Sequence, residues 1–272
     1  MQSFAGKVAI ITGASSGIGR ALAQQLAAQG CHLALADIDA EGLEVTTAPL
    51  RSPDLRVSTH TLDVADRDAM HGFAEQVLAH HGRAHLVINN AGVAVSQTIE
   101  EMRYDDFEWL MGINFWGVVH GTKAFLPHLL AQGEGHIVNL SSIFGIVSVP
   151  TQGAYNASKF AVRGFTEALR QELCHTPIKV SCVHPGGIRT NIARSARFYQ
   201  GVDGKSDAGK AAARFDQLAR TSAEQAARVI LDGIRAGRPR ILIGADARFL
   251  DRLQRLLPAN YPRLLAKLLI KS

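Results

Sequence analysis

Short apolar runs alternate with longer amphipathic stretches along most of the chain. Between residues 7 and 244, each run of β-branched or aliphatic residues is followed by Gly, Asp or Asn and then by a stretch with helical periodicity. Continuous apolar strands separated by helices predict a parallel sheet covered on both faces. The predicted strands are 7–12, 31–36, 55–61, 84–89, 136–140, 179–184 and 240–244.

The helical periods lie between those strands. They predict helices at 17–28, 40–50, 66–80, 104–130, 153–174 and 222–235. Because crossovers between parallel strands are right-handed, we expect an α/β fold with a doubly wound, seven-stranded parallel sheet of Rossmann-like type. Ligands in such a sheet are expected outside the carboxyl ends of the strands.

Two segments depart from this alternation. Residues 190–221 are polar and rich in Gly, Lys, Arg and Ala, with no stable period until about Ala211, which predicts a mobile loop over a site. Residues 246–272 carry a one-sided leucine pattern, broken at Pro258 and edged by Arg and Lys, which predicts an amphipathic, basic helical extension. We therefore expect one domain over 1–245, followed by this extension.

The charge of the chain is unevenly distributed. The formal net charge of +5 suggests nucleic acid or anionic membranes as partners, but residues 1–188 carry −5 and residues 189–272 carry +10. No nucleic-acid-binding signature is apparent, so nucleic acid is not an expected partner. The basic extension either packs on its own body or a partner subunit, or makes peripheral contact with an anionic membrane surface.

Location and redox state follow from what the sequence contains. The first residues do not resemble a targeting segment, and no apolar run approaches the roughly 18 residues of a membrane span. The cysteines, Cys31, Cys174 and Cys182, lack the spacing of a disulfide framework, and the last two are expected to be small buried hydrophobes. These features favour the cytoplasm, with a peripheral position at a membrane as the alternative.

A glycine-rich turn directly follows the first predicted strand and opens a helix. Glycines permit a tight turn there, and the N–H groups and dipole of the helix N-terminus attract a pyrophosphate, although such a turn alone can be a packing device. The candidate cofactor-binding residues of the turn are Gly13, Ser15, Ser16, Gly17, Ile18 and Gly19.

An acidic residue ends the second predicted strand. Asp37 lies 24 residues after Gly13, near the offset at which a carboxylate receives the ribose hydroxyls of a dinucleotide and repels a 2′-phosphate. Only Arg20 offers a partner for such a phosphate, so the sequence favours NAD over NADP. Asp37 could instead cap the following turn.

Several motifs together resemble the signature of the short-chain dehydrogenase/reductase superfamily over about residues 4–244. They are Thr12-Gly-x-x-x-Gly17-x-Gly19, Asn89-Asn90-Ala91-Gly92, Ser142, Tyr155-x-x-x-Lys159 and Pro185-Gly186. The resemblance implies that Asp63 and Val64 lie at the adenine, and that Asn90, Ala91 and Gly92 support the strand beside the cofactor. It also implies that Pro185, Gly186, Ile188 and Thr190 flank the nicotinamide carboxamide. It further implies a homo-oligomer, a dimer or tetramer, formed through the helices at 104–130 and 153–174.

Tyr155 is the candidate general acid/base for hydride transfer. A free phenol has a pKa of about 10, so it needs nearby positive charge, and Lys159 lies four residues on, on the same helical face. Ser142 follows an apolar strand, where its hydroxyl could hold the substrate oxygen, and the 13-residue spacing to Tyr155 favours it over Ser141. By the resemblance, Asn114 holds a water that extends the proton path. Separately, Tyr155 and Lys159 could form a solvated surface pair and Ser142 a strand-end cap.

The expected activity is hydride exchange between NAD(H) and a lipophilic secondary alcohol or ketone. Apolar segments at 93–96, 143–144 and 149–152 favour a lipophilic substrate. The alternatives are a catalytically idle cofactor-binding sensor or scaffold, and an NADP-dependent reductase of acyl or steroid-like ketones. No metal is expected, because no acidic or cysteine ligand joins His81 and His85 despite their helical spacing.

Overall fold

Seven parallel strands form the central sheet of the molecule. The computed structural model describes residues 1–202 and 204–270, and the side chains of the last helix as far as Leu265. Most strands of the sheet are short, mainly aliphatic runs that are buried, as expected for a sheet covered on both faces. The edge strand Val57–Thr61 is the exception, since it is mostly polar and partly exposed. The strands are β1 (Val8–Thr12), β2 (His32–Asp37), β3 (Val57–Thr61), β4 (Leu86–Asn89), β5 (His136–Leu140), β6 (Lys179–Pro185) and β7 (Arg240–Ile243).

The strand order is β7-β6-β5-β4-β1-β2-β3, and every neighbouring pair is parallel. The order reverses between β1 and β4, which opens a crevice at their carboxyl ends. All seven strands lie within two residues of their predicted bounds. The predicted doubly wound, seven-stranded parallel sheet is confirmed.

Helices cover both faces of this sheet. One apolar core, formed by α1 and α8 against β1 and β2, includes Leu22, Leu26 and Ile230. The opposite core, formed by α3, α5 and α6, includes Phe73 and Phe125. The helices are α1 (Gly17–Ala27), α2 (Ala40–Thr47), α3 (Arg67–His81), α4 (Tyr104–Met111), α5 (Gly117–Gln132), α6 (Gly153–Glu172), α7 (Ala208–Leu218), α8 (Ala223–Arg235), α9 (Ala245–Leu256) and α10 (Tyr261–Ile270).

The single helix predicted at 104–130 is wrong in one respect. A π-helical segment, Gly112–Trp116, separates α4 from α5. A π turn holds one more residue than an α turn and is common at functional sites. Asn114 lies inside this segment and is completely buried, so the polar residue that interrupts the apolar pattern is also where the helical geometry changes.

The segment 190–221 is more structured than a loop. Arg197–Phe198 pairs with Val95–Ser96, and Thr221–Ser222 pairs with Ile188–Arg189, both as short parallel strands. Helix α7 begins at Ala208, three residues before the expected period, because the Asp207 carboxylate caps the Lys210 amide at 2.9 Å. These pairings fix both ends of the segment, and their two-residue strands are too short to produce a strand pattern in the sequence.

The C-terminal helices pack on the body of the same chain. Tyr261 and Leu265 of α10 and Ala247 of α9 form a small apolar core with Ile146 and Val147. The Tyr261 hydroxyl also accepts a hydrogen bond from the Ser148 amide at 3.1 Å. No helix within 1–202 and 204–270 has the length and apolar content needed to cross a membrane.

The cysteines differ in environment. Cys31 and Cys182 are buried in the sheet, and burial raises the pKa of each thiol to about 12. Cys174 is exposed, so the expectation that it is a buried hydrophobe is wrong. The predicted helix ran to residue 174, but α6 ends at Glu172, and Cys174 lies in the turn beyond it.

Candidate active site

A cavity of about 750 Å³ lies at the carboxyl ends of the strands. Residues that follow each of the seven strands contribute to its wall. The crevice position predicted from the strand alternation is therefore where the cavity lies. The cavity is lined by these predicted cofactor-binding residues: Gly13, Ser15, Ser16, Gly17, Ile18, Asp37, Asp63, Val64, Asn90, Ala91, Gly92, Pro185, Gly186, Ile188 and Thr190.

The glycine turn after β1 forms one end of the cavity. Gly13 and Gly17 have positive φ values of 66° and 51°, a region that favours glycine. A Cβ on Gly13 would lie 2.8 Å from the Ala91 Cα, and one on Gly19 would lie 2.0 Å from the Gly13 carbonyl oxygen. Gly19 therefore does not line the cavity but allows α1 to pack tightly beneath the turn.

The N-terminus of α1 points into this end of the cavity. Its N-cap, Ser16, makes no side-chain capping bond within the described part of the chain. Uncapped N–H groups and the positive end of the helix dipole are suited to an anion such as a pyrophosphate. The space that the glycines leave and these donors fit a dinucleotide.

Asp37 has two roles at the adjacent strand end. Its carboxylate accepts hydrogen bonds from the Ser15 amide at 2.8 Å and from the Asp39 amide at 3.1 Å. The second bond is the turn cap that we kept as an alternative. Asp37 also lines the cavity, so the turn cap and a position at the ligand cavity coexist.

Arg20, the cation that could receive a 2′-phosphate, already makes hydrogen bonds within the protein. The Arg20 guanidinium donates to the Ser15 carbonyl oxygen and, at 2.9 Å, to the Thr46 hydroxyl. Thr46 in turn donates to the Ala14 carbonyl oxygen at 3.0 Å. Arg20 therefore braces the glycine turn from behind.

Tyr155 and Lys159 lie on one face of α6, at the cavity wall. The Lys159 ammonium is 5.6 Å from the centroid of the Tyr155 ring and donates a hydrogen bond to the Leu140 carbonyl oxygen at 3.0 Å. Burial raises the pKa of Tyr155 to about 12, while the Ser142 side chain acts in the opposite direction. Burial lowers the pKa of Lys159 to about 8. The lysine is the buried positive charge next to the phenol.

Two consecutive serines after β5 have different surroundings. The Ser141 hydroxyl donates to the Lys159 carbonyl oxygen at 2.8 Å and ties α6 to the strand end. Ser142 caps the Phe144 amide at 3.1 Å and interacts with Tyr155. The Ser142 hydroxyl therefore lies next to the Tyr155 phenol at the cavity wall.

Asn114 lies behind the cavity wall. Its side-chain oxygen accepts from the Val93 amide at 2.8 Å, and its amide group donates to the Val93 carbonyl oxygen at 3.0 Å and to the Ser158 hydroxyl at 3.2 Å. A Cβ on Gly92 would lie 3.2 Å from the Asn114 carboxamide oxygen and 3.4 Å from the Lys159 ammonium. Asn114 thus supports the chain after β4, close to Lys159.

Some residues of the wall were absent from our sequence expectations. Asp246 and Leu250 of α9 line the cavity, although we treated the extension as separate from the site. Asp246 accepts a hydrogen bond from the Gly187 amide at 2.7 Å, so α9 holds the loop after β6. The sequence signal for this contact is the acidic Asp246, which comes shortly after the carboxyl end of the last strand.

The half of the cavity away from the glycine turn is mainly apolar. The segments 93–96, 143–144 and 149–152 all contribute to it, together with Phe215 and Leu218 of α7. Arg197 anchors the segment that carries α7, since its guanidinium bonds the buried Asp106 carboxylate at 2.7 Å and stacks 3.6 Å from the Trp109 ring centroid. This part of the cavity is therefore braced from outside. Its lining also includes charged residues of the same segment, namely Lys205, Asp207, Lys210 and Arg214.

The histidines considered as a metal pair are used for structure. His81 interacts with the Ser58 hydroxyl at 2.9 Å, and His85 accepts a hydrogen bond from the Val8 amide at 3.1 Å. Within the described residues, no group of three His, Cys, Asp or Glu side chains could hold a metal ion.

Comparisons with known proteins agree with this geometry. The family model for short chain dehydrogenases matches residues 7–200. The chain belongs to this family. This short-chain dehydrogenase is 49% identical over 269 residues to SadH, a protein of Mycobacterium tuberculosis strain H37Rv that is named as an oxidoreductase, with 98% of this chain and 96% of that protein covered. It is also similar to a C alpha-dehydrogenase of Sphingobium sp. strain SYK-6, with 37% identity over 199 residues, 72% of this chain and 65% of that protein.

A solved structure extends the likeness to three dimensions. A short-chain dehydrogenase/reductase from Burkholderia phymatum, solved in complex with NAD, superposes with a TM-score of 0.85 at 34% identity and covers 94% of this chain and 95% of its own. A metagenomic short-chain oxidoreductase in complex with NADP has a TM-score of 0.71 at 28% identity, with 88% and 97% covered. This short-chain dehydrogenase is an oxidoreductase with a Rossmann-like sheet.

Proposed function

We propose that the protein transfers a hydride between NAD(H) and a lipophilic secondary alcohol or ketone, with Tyr155 as general acid/base. The observation that carries the proposal is the position of Tyr155, Lys159 and Ser142 on one wall of a cavity whose other end is the uncapped glycine turn. When bound, NAD(H) supplies the hydride acceptor or donor. The protein residues manage the proton and the position of the substrate oxygen.

The proton passes through Tyr155. The buried phenol has a pKa of about 12, so near neutral pH its proton is released only when positive charge stabilises the phenolate. The Lys159 ammonium provides that charge from 5.6 Å. Ser142 holds the substrate oxygen beside the phenol, and Asn114 positions the chain after β4 through Val93.

NAD is the preferred cofactor in this proposal, and NADP is the alternative. A ribose with free hydroxyls can donate to the Asp37 carboxylate, whereas a 2′-phosphate would be repelled by it. Arg20 is engaged with Ser15 and Thr46 and is not directed at such a phosphate. The NAD complex of the Burkholderia phymatum relative supports the same choice.

We also propose a lipophilic substrate, a homo-oligomer and a cytoplasmic location. The apolar half of the cavity supports the substrate class. Exposed aromatic side chains on the π segment and α6, namely Trp116 and Phe160, support association through that face. Light scattering of the purified protein tests the assembly, and a strictly monomeric mass would contradict it.

The decisive experiment compares wild type with Tyr155→Phe on a panel of secondary alcohols of graded chain length. NAD reduction is followed by absorbance, and NAD binding is measured separately. We expect turnover to fall by about 10²–10⁴-fold in Tyr155→Phe while NAD still binds. Tyr104→Phe, at an exposed tyrosine on α4, is the matched control. Unchanged turnover in Tyr155→Phe would contradict the proposal, and NAD binding without turnover on any substrate would favour an idle sensor or scaffold.

A further inference from the structure

A second cavity lies on the outer side of α9, away from the site described above. Its volume is about 320 Å³, and it is formed between α8, β7 and α9. That volume is at the lower end of the range for small-molecule pockets, about 300–1,000 Å³. Four arginines and one aspartate line it, over a floor of Val229, Ile241 and Leu242.

The local geometry explains why the arginines converge. Arg238 and Arg240 are two residues apart on the chain entering β7, so their side chains share one side of it. Arg248 and Arg252 are four residues apart on α9 and share one helical face. Because α9 packs against β7, both pairs face the same cavity. We call the cavity that these four side chains line the arginine cavity.

The positive charge of the arginine cavity is only partly balanced. Asp251 is buried, and its two oxygens are already taken by Arg240 and by Arg255 at 3.3 Å. The side chains of Arg238, Arg248 and Arg252 make no hydrogen bond or ion pair with any other residue in the described ranges. The single carboxylate is therefore shared, and three lining guanidinium groups have no counter-charge there.

Arg240 adds a donor that lacks an acceptor. Its Nε is buried and, among the described residues, has no hydrogen-bond partner. Burial lowers the pKa of Arg240, and the neighbouring charges of Arg163 and Arg255 act in the same direction. An unsatisfied buried donor destabilises the folded protein, and mutual repulsion of the guanidinium groups acts in the same direction. A bound anion would relieve both.

We propose that the arginine cavity binds the phosphoryl group of a small ligand. Guanidinium groups present paired N–H donors that match phosphate oxygens, and several of them around one pocket favour a multiply charged anion over a single carboxylate. The phosphoryl group belongs either to a soluble ligand or to a phospholipid head group. The second source is relevant because Phe249 and Leu256 on α9 are exposed beside Arg252.

The test measures binding of inorganic phosphate to the full-length protein by ³¹P NMR and calorimetry. We compare wild type with the double variant Arg248→Gln/Arg252→Gln, at two exposed positions, and thermal unfolding of both proteins checks that the variant is folded. Arg263→Gln, at an exposed arginine of α10 outside the cavity, is the single-charge control. Arg252→Lys keeps the charge but removes the paired donors. Phosphate could also bind in the cavity at the carboxyl ends of the strands. None of these substitutions touches that cavity, so such binding should be equal in all variants.

We expect one phosphate per chain to be lost, or its affinity to fall by about tenfold or more, in the double variant but not in Arg263→Gln. Arg252→Lys is expected to be intermediate. In a second arm, phosphatidylglycerol and phosphatidylcholine vesicles are floated with each protein. Selective loss of phosphatidylglycerol binding in the double variant assigns the phosphoryl group to a lipid, and loss of phosphate binding alone assigns it to a soluble ligand. Equal binding by all variants in both arms, or no binding by wild type in either, overturns the proposal.

Discussion

Replacing Lys159 with methionine should stabilise the cofactor-free protein near neutral pH. Burial lowers the pKa of Lys159 from its ordinary value of 10.5 to about 8. At about 1.36 kcal/mol per tenfold change in an ionisation constant, holding the charged form in the folded protein costs roughly 3 kcal/mol. Methionine fills a similar volume without charge. Loss of the hydrogen bond to the Leu140 carbonyl oxygen offsets about 1 kcal/mol, so we expect a net gain of about 1–2 kcal/mol at pH 7.

The pH dependence has a defined sign. Below pH 8 the lysine is charged in both the folded and the unfolded chain, so the full cost of burying the charge is present. Between about pH 8 and 10.5 the unfolded chain binds more protons at this group, so its contribution to stability rises with pH. The difference in stability between Lys159→Met and wild type should therefore move by about 2–3 kcal/mol in favour of wild type between pH 7 and 10, so wild type becomes at least as stable as the variant at pH 10.

Urea unfolding at a series of pH values measures this difference. Burial raises the pKa of Cys31, Cys182 and Tyr155 to about 12 in the folded protein. Within this pH range these groups therefore lose protons only in the unfolded chain, and that contribution is common to both proteins. Lys123→Met, at an exposed lysine of α5, is the control for the same substitution outside the protein interior. Lower stability of Lys159→Met than of wild type at pH 7, or a constant difference between the two across the pH series, would contradict a cost of burying the Lys159 charge.

Three further predictions concern other parts of the molecule. Asp37→Asn should weaken NAD binding and reduce the preference for NAD over NADP by about tenfold. Titration with each dinucleotide measures this preference as the ratio of the two dissociation constants. An unchanged ratio would contradict the role proposed for Asp37. Gly19→Ala should lower the free energy of unfolding by about 1–3 kcal/mol, because its Cβ would meet the Gly13 carbonyl oxygen. Gly72→Ala, with open space around its Cβ, should raise the free energy of unfolding by about 0.5–1 kcal/mol. Thermal unfolding measures both, and equal effects of the two substitutions would contradict the packing argument. Asp106→Asn should lower the free energy of unfolding by about 1 kcal/mol, because the half-exposed Arg197 loses its ion pair. Urea unfolding measures this loss, and an unchanged midpoint would contradict a stabilising contact between the two residues.

The sheet could be predicted from the sequence because its signal is local. Most strands are mainly aliphatic runs, with the polar edge strand β3 as the exception, and right-handed crossovers leave few possible arrangements. The glycine turn and the Tyr155–Lys159 pair could be located for a similar reason, since strand ends and helical spacing determine where they lie. The role of each site residue in catalysis is still a prediction.

Features that depend on distant residues could not be predicted. The two-residue strands Val95–Ser96 and Arg197–Phe198 are defined only by their pairing across about a hundred residues. The contribution of α9 to the cavity depends on the bond between Asp246 and the Gly187 amide, 59 residues apart. The burial of Arg240 beside other arginines likewise comes from the packing of α9 on β7 and not from any local pattern.

In the π segment at 112–116, the geometry that favours helix stability differs from the geometry that holds Asn114 in place. A π turn has poorer helical geometry than an α turn, so deleting one of its residues would join α4 and α5 into one regular helix. The same deletion would rotate the residues beyond it by about 100° and separate Asn114 from Val93. Selection for thermal stability alone would therefore remove this turn. Its presence in the folded chain is the kind of local cost that proteins retain when a functional site requires it.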